Sequence, residues 1–159
     1  MSFVSIDPGT HKLGFAVWST FEKPDDAGVL HAPPRLKMAC SRTLFLIEGL
    51  GAILEDVPGG IPSTAVCELV PFIPGRPVHQ LAALVDDLRT WTTNGGGTWV
   101  GYHVGTIRSA LGAKGGKPAV QASIRERYGI EGDDNMVDAV AVGHCHIEKV
   151  LRPKAMLEV

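Results

Sequence analysis

The amino-acid sequence predicts an α/β fold built on a five-stranded mixed sheet, and three observations point there. Short β-rich runs recur along the chain, helical periodicity falls between and after them, and Gly and Pro clusters sit at the spacing of loops. In order, the elements read β-β-β-α-β-α-β-α-α. Residues 3–6 form a strand that breaks at Asp7-Pro8-Gly9-Thr10, and residues 13–18 form a second, so the pair predicts an antiparallel hairpin. A third strand is predicted over residues 36–39. Leu46, Ile47, Leu50, Ile53 and Leu54 share one side of a helix over about 42–56, with Ser41 as its N-cap. Residues 64–69 read as a strand, apolar except for Glu68. Leu81, Leu84, Val85, Leu88 and Trp91 follow helical spacing, and Gly95-Gly96-Gly97 ends that helix. A fifth strand over 98–104, a helical turn over 106–111 and a Gly and Lys loop over 112–117 come next. Pro118 suits a helix start, and Gly129 caps that helix after Tyr128. A last helix, N-capped by Asp133 or Asp134, carries Val137, Val140, Ala141, Ile147 and Val150.

Composition bounds the function. A chain of 159 residues buries about 68 to 70% of its unfolded surface, enough for one core without disulfide or metal staples. A single domain over 1–159 is therefore expected. With 45% hydrophobic and 20% charged residues, wholesale disorder is excluded. Apolar runs such as residues 44–47 stop far short of the roughly 20 residues of a membrane-spanning helix. The N-terminus runs straight into a strand without a basic leader, which predicts a cytoplasmic protein. Cys40, Cys67 and Cys145 are an odd, scattered set beside apolar residues, as small buried hydrophobes in a reducing compartment would be. A net charge of -2 gives no global attraction to nucleic acid or anionic lipid, so a polyanionic partner requires a local basic patch.

Three places set carboxylates at element ends or inside apolar elements: Asp7, Glu68, and the run Asp133-Asp134-Asn135-Met136-Val137-Asp138. A central first strand whose neighbour follows a crossover helix sets Asp7 and Glu68 side by side at strand ends. Asp134 and Asp138 lie i, i+4 on one helix face, and Asn135 and Asp138 share nearly the same side. Such acids repel one another unless a cation intervenes, and hard oxygen ligands suit Mg²⁺ or Mn²⁺. Two such ions about 3.5 to 4 Å apart serve phosphodiester hydrolysis, so the inferred class is metal-assisted phosphoryl transfer. Each carboxylate also has an ordinary reading. Asp-Pro-Gly is a common turn, Asp133 and Asp134 are good helix caps, and Glu68 can be an edge-strand residue facing water.

Taken in order, Ser5-Ile6-Asp7-Pro8-Gly9-Thr10, Leu13-Gly14-Phe15-Ala16-Val17, Val66-Cys67-Glu68 and Val137-Asp138-Ala139-Val140-Ala141-Val142 form a pattern, with Lys117-Pro118-Ala119-Val120-Gln121 before its last member. The pattern resembles the RuvC family of Holliday junction resolvases within the ribonuclease H-like nucleases, over residues 3 to about 146. The resemblance implies a ribonuclease H-like fold, a five-stranded mixed sheet with helices on both faces. It implies Asp7, Glu68 and Asp138 as metal ligands and catalytic residues, with two Mg²⁺ per site for which Mn²⁺ substitutes. The family's usual acid or histidine three residues before the last Asp is Asn135 here, so either Asn135 or the preceding Asp134 is expected to complete the site. Lys117 matches the basic residue near the scissile phosphate. Arg76, Arg108 and Lys114 are further candidates for phosphate contacts, and Phe72 resembles the aromatic inserted at the junction crossover, or else packs on the sheet.

The function so implied is a structure-selective DNA endonuclease that resolves four-way junctions by paired symmetric nicks, in a bacterial or phage-infected cytoplasm. Paired nicks need two sites, so a homodimer is expected, with helical faces around 42–56 and 81–91 as candidate interfaces. One departure is charge: the family is typically basic, whereas this chain is slightly acidic and holds only 15 Lys and Arg. Two alternatives stay open, a related nuclease for other branched DNA or RNA-DNA hybrids, and a non-catalytic nucleic-acid-binding module in which Asn135 marks a decayed site. His144-Cys145-His146 lacks a second ligand pair at zinc spacing, and its histidines fall on different helix faces.

Overall fold

Strand β1 (Phe3–Pro8) pairs antiparallel with β2 (Lys12–Trp18), from Phe3 opposite Trp18 to Pro8 opposite Leu13, as the short Gly9-Thr10-His11 turn predicts. The structure is a computed structural model that describes residues 2–58, 60–69 and 78–157. β2 pairs in turn with β3 (Asp26–His31), while β4 (Thr64–Leu69) and β5 (Thr98–His103) add parallel to β1 on its other side, giving the order β3-β2-β1-β4-β5. The first strand is central, and its parallel neighbour arrives after helix α1 (Ala39–Glu55). α2 (His79–Asn94) joins β4 to β5, and α3 (Val104–Leu111), α4 (Lys117–Tyr128) and α5 (Asp134–His146) follow. Beyond α5 the chain passes through a π-helical turn, Ile147–Leu151, into a short α6 (Arg152–Leu157).

Alternation along the strands divides the core in two. Val4, Ile6, Leu13, Phe15, Val17, Ala65 and Cys67 face Leu46, Leu50 and Leu54 of α1 and Leu84 and Leu88 of α2. Phe3, Ala16, Trp18 and Val66 face α3, α4 and α5. By the same period of two, Asp7 and Glu68 belong to the α3–α5 face. α5 is buried without a break from Ala139 to His146, because the sheet covers one side and α3 and α4 the other. That explains why its sequence is apolar nearly all round instead of striped. Two glycines bring it down onto the sheet: a Cβ at Gly14 would lie 1.9 Å from the Asn135 carbonyl oxygen, and one at Gly143 would lie 2.4 Å from the Trp18 ring. Gly129 ends α4 with φ 68°, the left-handed cap its position predicts.

Three expectations need correction. The third strand is Asp26–His31, not residues 36–39. It is an edge strand, partly exposed and interrupted by Gly28, so it carries little of the apolar alternation by which strands are recognised. Residues 36 and 37 instead belong to a loop whose carbonyls bond a buried arginine. Ser41 does not cap α1: the helix starts at Ala39, and Met38 at the cap position offers no side-chain bond. Cys40 is exposed in the first turn of α1, whereas Cys67 and Cys145 are buried as expected, and all three are free thiols. Among the described residues no helix is long and apolar enough to cross a membrane.

Candidate active site

The β1–β4 ladder runs from Phe3 beside Thr64 to Ile6 beside Cys67, which brings Asp7 and Glu68 level at the strand ends. α5 crosses the same face and presents Asp138 from its second turn. The side chain of Asp133 caps α5 by accepting the Asn135 N–H at 2.9 Å, and Lys12 Nζ holds Asp133 at 2.7 Å. One end of β2 is thereby tied to the helix that carries Asp138. The Lys12 ammonium and the Asn135 amide keep the Asp133 carboxyl below its ordinary range.

These three carboxylates sense one another. Burial, then the charges of Asp138 and Glu68, push the Asp7 carboxyl from its ordinary 3.8 up to about 8. Burial and Asp138 raise Glu68 as well. Burial raises Asp138 even though Lys117 Nζ stands 3.0 Å from its carboxylate. Lys117 also reaches Asp134 at 3.2 Å; burial pulls its ammonium down, but the two acids prevail and hold it above its usual value. Glu68, Arg108, Lys117 and Asp138 line a cleft of about 220 Å³ floored by Val104, Ile107, Val120 and Ala141. The result is a polar cleft with apolar walls, where charge interactions exceed those in water.

The two candidates for the fourth position stand differently. Asn135 Nδ2 donates to Asp7 Oδ2 at 2.9 Å, whereas Asp134 turns outward to accept from Gln121 Nε2 at 2.6 Å and to meet Lys117. Asn135 therefore stands at Asp7, and Asp134 stands across Lys117 from Asp138. Lys114 is exposed in the loop between α3 and α4, and Arg108 projects from α3 into the cleft. Phe72 and Arg76 lie outside the described residues. His144 and His146 are both buried and each meets a tyrosine hydroxyl, Tyr128 at 2.7 Å and Tyr102 at 3.1 Å, which fits a structural role. His11 is exposed and bonds its neighbour Thr10.

No three His, Cys, Asp or Glu side chains among the described residues are already drawn around one ion position. The donor set nevertheless suits a hard divalent cation. Asp7, Glu68 and Asp138 offer carboxylate oxygens in a desolvated group whose repulsion Lys117, Arg108 and the Asn135 amide counter in part, so a cation there would relieve what raises their pKa values. Lys12 and Gln121 escaped the sequence reading. Lys12 belongs to no motif and Gln121 only closes the Lys117–Gln121 run, and their partners lie 121 and 13 residues away along the chain.

Matches to solved structures bear on the whole chain. RuvC from Thermus thermophilus in complex with Holliday junction substrate superposes with a TM-score of 0.79 at 17% identity, covering 96% of each chain. The fold is RuvC-like. A second Thermus thermophilus RuvC structure gives a TM-score of 0.78 at 17% identity, over 96% of this chain and 97% of that one. The fowlpox virus Holliday junction resolvase matches at 0.58 and 11% identity, over 94% of this chain and 99% of its own. No family model and no curated protein sequence matches the chain. The RuvC-like architecture, with its mixed sheet and helices on both faces, agrees with the sequence expectation, and at such low identity the likeness speaks of fold alone.

Proposed function

We propose that the chain is a Mg²⁺-dependent, structure-selective DNA endonuclease that resolves four-way junctions by paired nicks. The observation that carries this reading is the convergence of Asp7, Glu68 and Asp138, from β1, β4 and α5, in one desolvated and mutually repelling group beside Lys117. The RuvC-like fold supports it, since the matched proteins include a RuvC bound to a Holliday junction. Asp7, Glu68, Asp138 and the side-chain oxygen of Asn135 would hold the ions. When bound, two divalent cations supply positive charge for the phosphate and make water a better nucleophile. Lys117, held at the cleft by Asp138 and Asp134, meets the charge that builds on the phosphate as its ester bond breaks. Arg108 and Lys114 bind flanking phosphates, which fixes register without reading sequence. Strands β1 and β4 and helix α5 of one α/β unit supply the three carboxylates, which supports one nuclease domain over 1–159.

The assembly we propose is a homodimer, because a junction nicked symmetrically presents two equivalent strands. Met38, Leu44 and Phe45, at the start and on the outer side of α1, are 66%, 57% and 37% exposed, and a second copy of this chain would cover them.

Asn135 favours a second reading. An amide donating to Asp7 where an acid would add negative charge is what a non-catalytic junction-binding module would carry. A labelled immobile four-way junction separates the two. Paired symmetric nicks in Mg²⁺ that vanish with EDTA and in Asp7→Asn are expected. Tight binding without cuts in Mg²⁺ or Mn²⁺ overturns the nuclease and leaves the binding module, while preferential cleavage of an RNA-DNA hybrid reassigns the substrate.

A further inference from the structure

Arg42 lies on the buried stripe of α1, one turn before Leu46, Leu50 and Leu54, and is only 8% exposed. A buried guanidinium ordinarily needs a carboxylate, yet among the described residues none lies within ion-pair distance of it. Its donors go elsewhere. Nε bonds the Thr10 carbonyl at 3.1 Å, Nη1 bonds the Leu36 and Lys37 carbonyls at 3.2 and 2.7 Å, and Nη2 bonds Gln80 Oε1 at 3.3 Å. Four oxygens from three segments thus converge on one planar fork, a geometry lysine cannot reproduce.

Those segments matter for the site. Thr10 belongs to the turn that leaves Asp7, and Gln80 belongs to the first turn of α2, the helix that follows β4 and Glu68. From the opposite sheet face the same turn meets α5: a Cβ on Gly9 would lie 3.4 Å from Asn135 Nδ2, the amide that bonds Asp7. The turn is therefore gripped from both faces, by Asn135 on one and Arg42 on the other. Arg42 reaches Asp7 only through the backbone of that turn, by its bond to the Thr10 carbonyl, so its action on Asp7 is geometric.

We propose that Arg42 is a positioning residue for the carboxylate site, holding the turn after Asp7 so that Asp7 meets a divalent cation in register with Glu68 and Asp138. The inference rests on the metal-dependent reading above for its ion. Removing a group that orients ligands from outside costs about 10 to 100-fold in metal affinity.

The test is calorimetric titration of Mn²⁺ into the full chain, together with amide hydrogen exchange and thermal denaturation in EDTA, for wild type, Arg42→Met, Arg42→Lys and Gln80→Ala. Arg42→Met is expected to weaken Mn²⁺ binding at least about tenfold. Exchange should speed up at residues 9–12 and 36–38 while β4 and α5 keep their protection. Arg42→Lys should recover part of the affinity, and Gln80→Ala, which leaves the core intact, should weaken binding by a smaller factor even if Arg42→Met does not fold. Unchanged Mn²⁺ affinity in the folded variants overturns the proposal, as does faster exchange spread evenly over the sheet. A wild-type protein that binds no Mn²⁺ overturns the metal-dependent reading itself, an outcome visible before any variant is compared.

Discussion

Among the described residues, Lys117 is the only ammonium within ion-pair distance of Asp138, and it is shared with Asp134. Its role at the phosphate and its role as counter-charge have separable consequences. Lys117→Met should lower kcat for junction cleavage by about 10²–10³, with a much smaller change in KM, in single-turnover measurements. The same variant should bind Mg²⁺ more tightly, since it removes a positive charge beside Asp138. Asp7 makes a pH prediction. Its carboxyl titrates near 8 in the metal-free fold against about 3.8 ordinarily, so the native state holds the proton more tightly than the unfolded chain. That contribution is complete below the ordinary value and is lost as pH rises through about 8. In EDTA the melting temperature should therefore fall between pH 5 and 9, and Asp7→Asn, which mimics the protonated acid, should flatten that fall and be the more stable protein at pH 9. Adding Mg²⁺ at pH 8 should raise the melting temperature of the wild type and leave Asp7→Asn nearly unmoved.

At the scale of elements, the site depends on how closely α5 lies on β2. Gly14 faces the Asn135 carbonyl so tightly that a methyl group would sit 1.9 Å from that oxygen. Backbone meets backbone here, so no side chain can rotate away. Gly14→Ala should cost about 3 kcal/mol in urea denaturation and abolish Mg²⁺-dependent cleavage by lifting Asn135 from Asp7. Gly28→Ala on edge strand β3 first meets the Phe15 ring, at 3.0 Å, a side chain that can shift, and should cost less and spare cleavage. The far end of α5 is held differently. Gly143 rests on Trp18, whose Nε1 donates to Ser5 Oγ at 2.9 Å and whose ring stacks on Phe3 at 5.6 Å. Burial lowers the His144 pKa, which disfavours a charge on that imidazole at this end of the helix.

At the scale of the molecule, a net charge of -2 leaves junction binding to a few cations gathered around one cleft. If each protomer of a dimer offers Arg108, Lys114 and Lys117, the logarithm of the binding constant should fall against the logarithm of salt with a slope of about 5. Lys114→Ala should reduce that slope by about 2, one phosphate contact per protomer. The dimer itself is checked by light scattering. Wild type should elute at twice its 16.9 kDa chain mass, and Leu44→Asp, charged on the exposed side of α1, at the chain mass. A wild-type monomer on junction DNA would sink the symmetric-nick model.

Much of this was written locally. Periodicity located the cores of α1, α2 and α5, the Asp-Pro-Gly turn located the hairpin, and the two apolar strands with one acid apiece pointed to Asp7 and Glu68, because burial on one face leaves a period and a misplaced carboxylate interrupts it. What lacked a period was misread: β3 at the sheet edge, and the start of α1, where Met38 stands at the cap position without a side-chain bond and a capping serine was expected. Arg42 did leave a trace, since it occupies the position that continues the Leu46, Leu50, Leu54 stripe. The choice between Asp134 and Asn135 left none. Adjacent residues on a helix point about 100° apart, and which of them meets Asp7 depends on how α5 is rotated on the sheet, a rotation decided by Gly14, Gly143 and the Lys12–Asp133 bridge. The sequence by itself determined which residues carry charge and which elements carry those residues. Only the tertiary structure decided which charges meet, because that depends on contacts between residues more than a hundred positions apart.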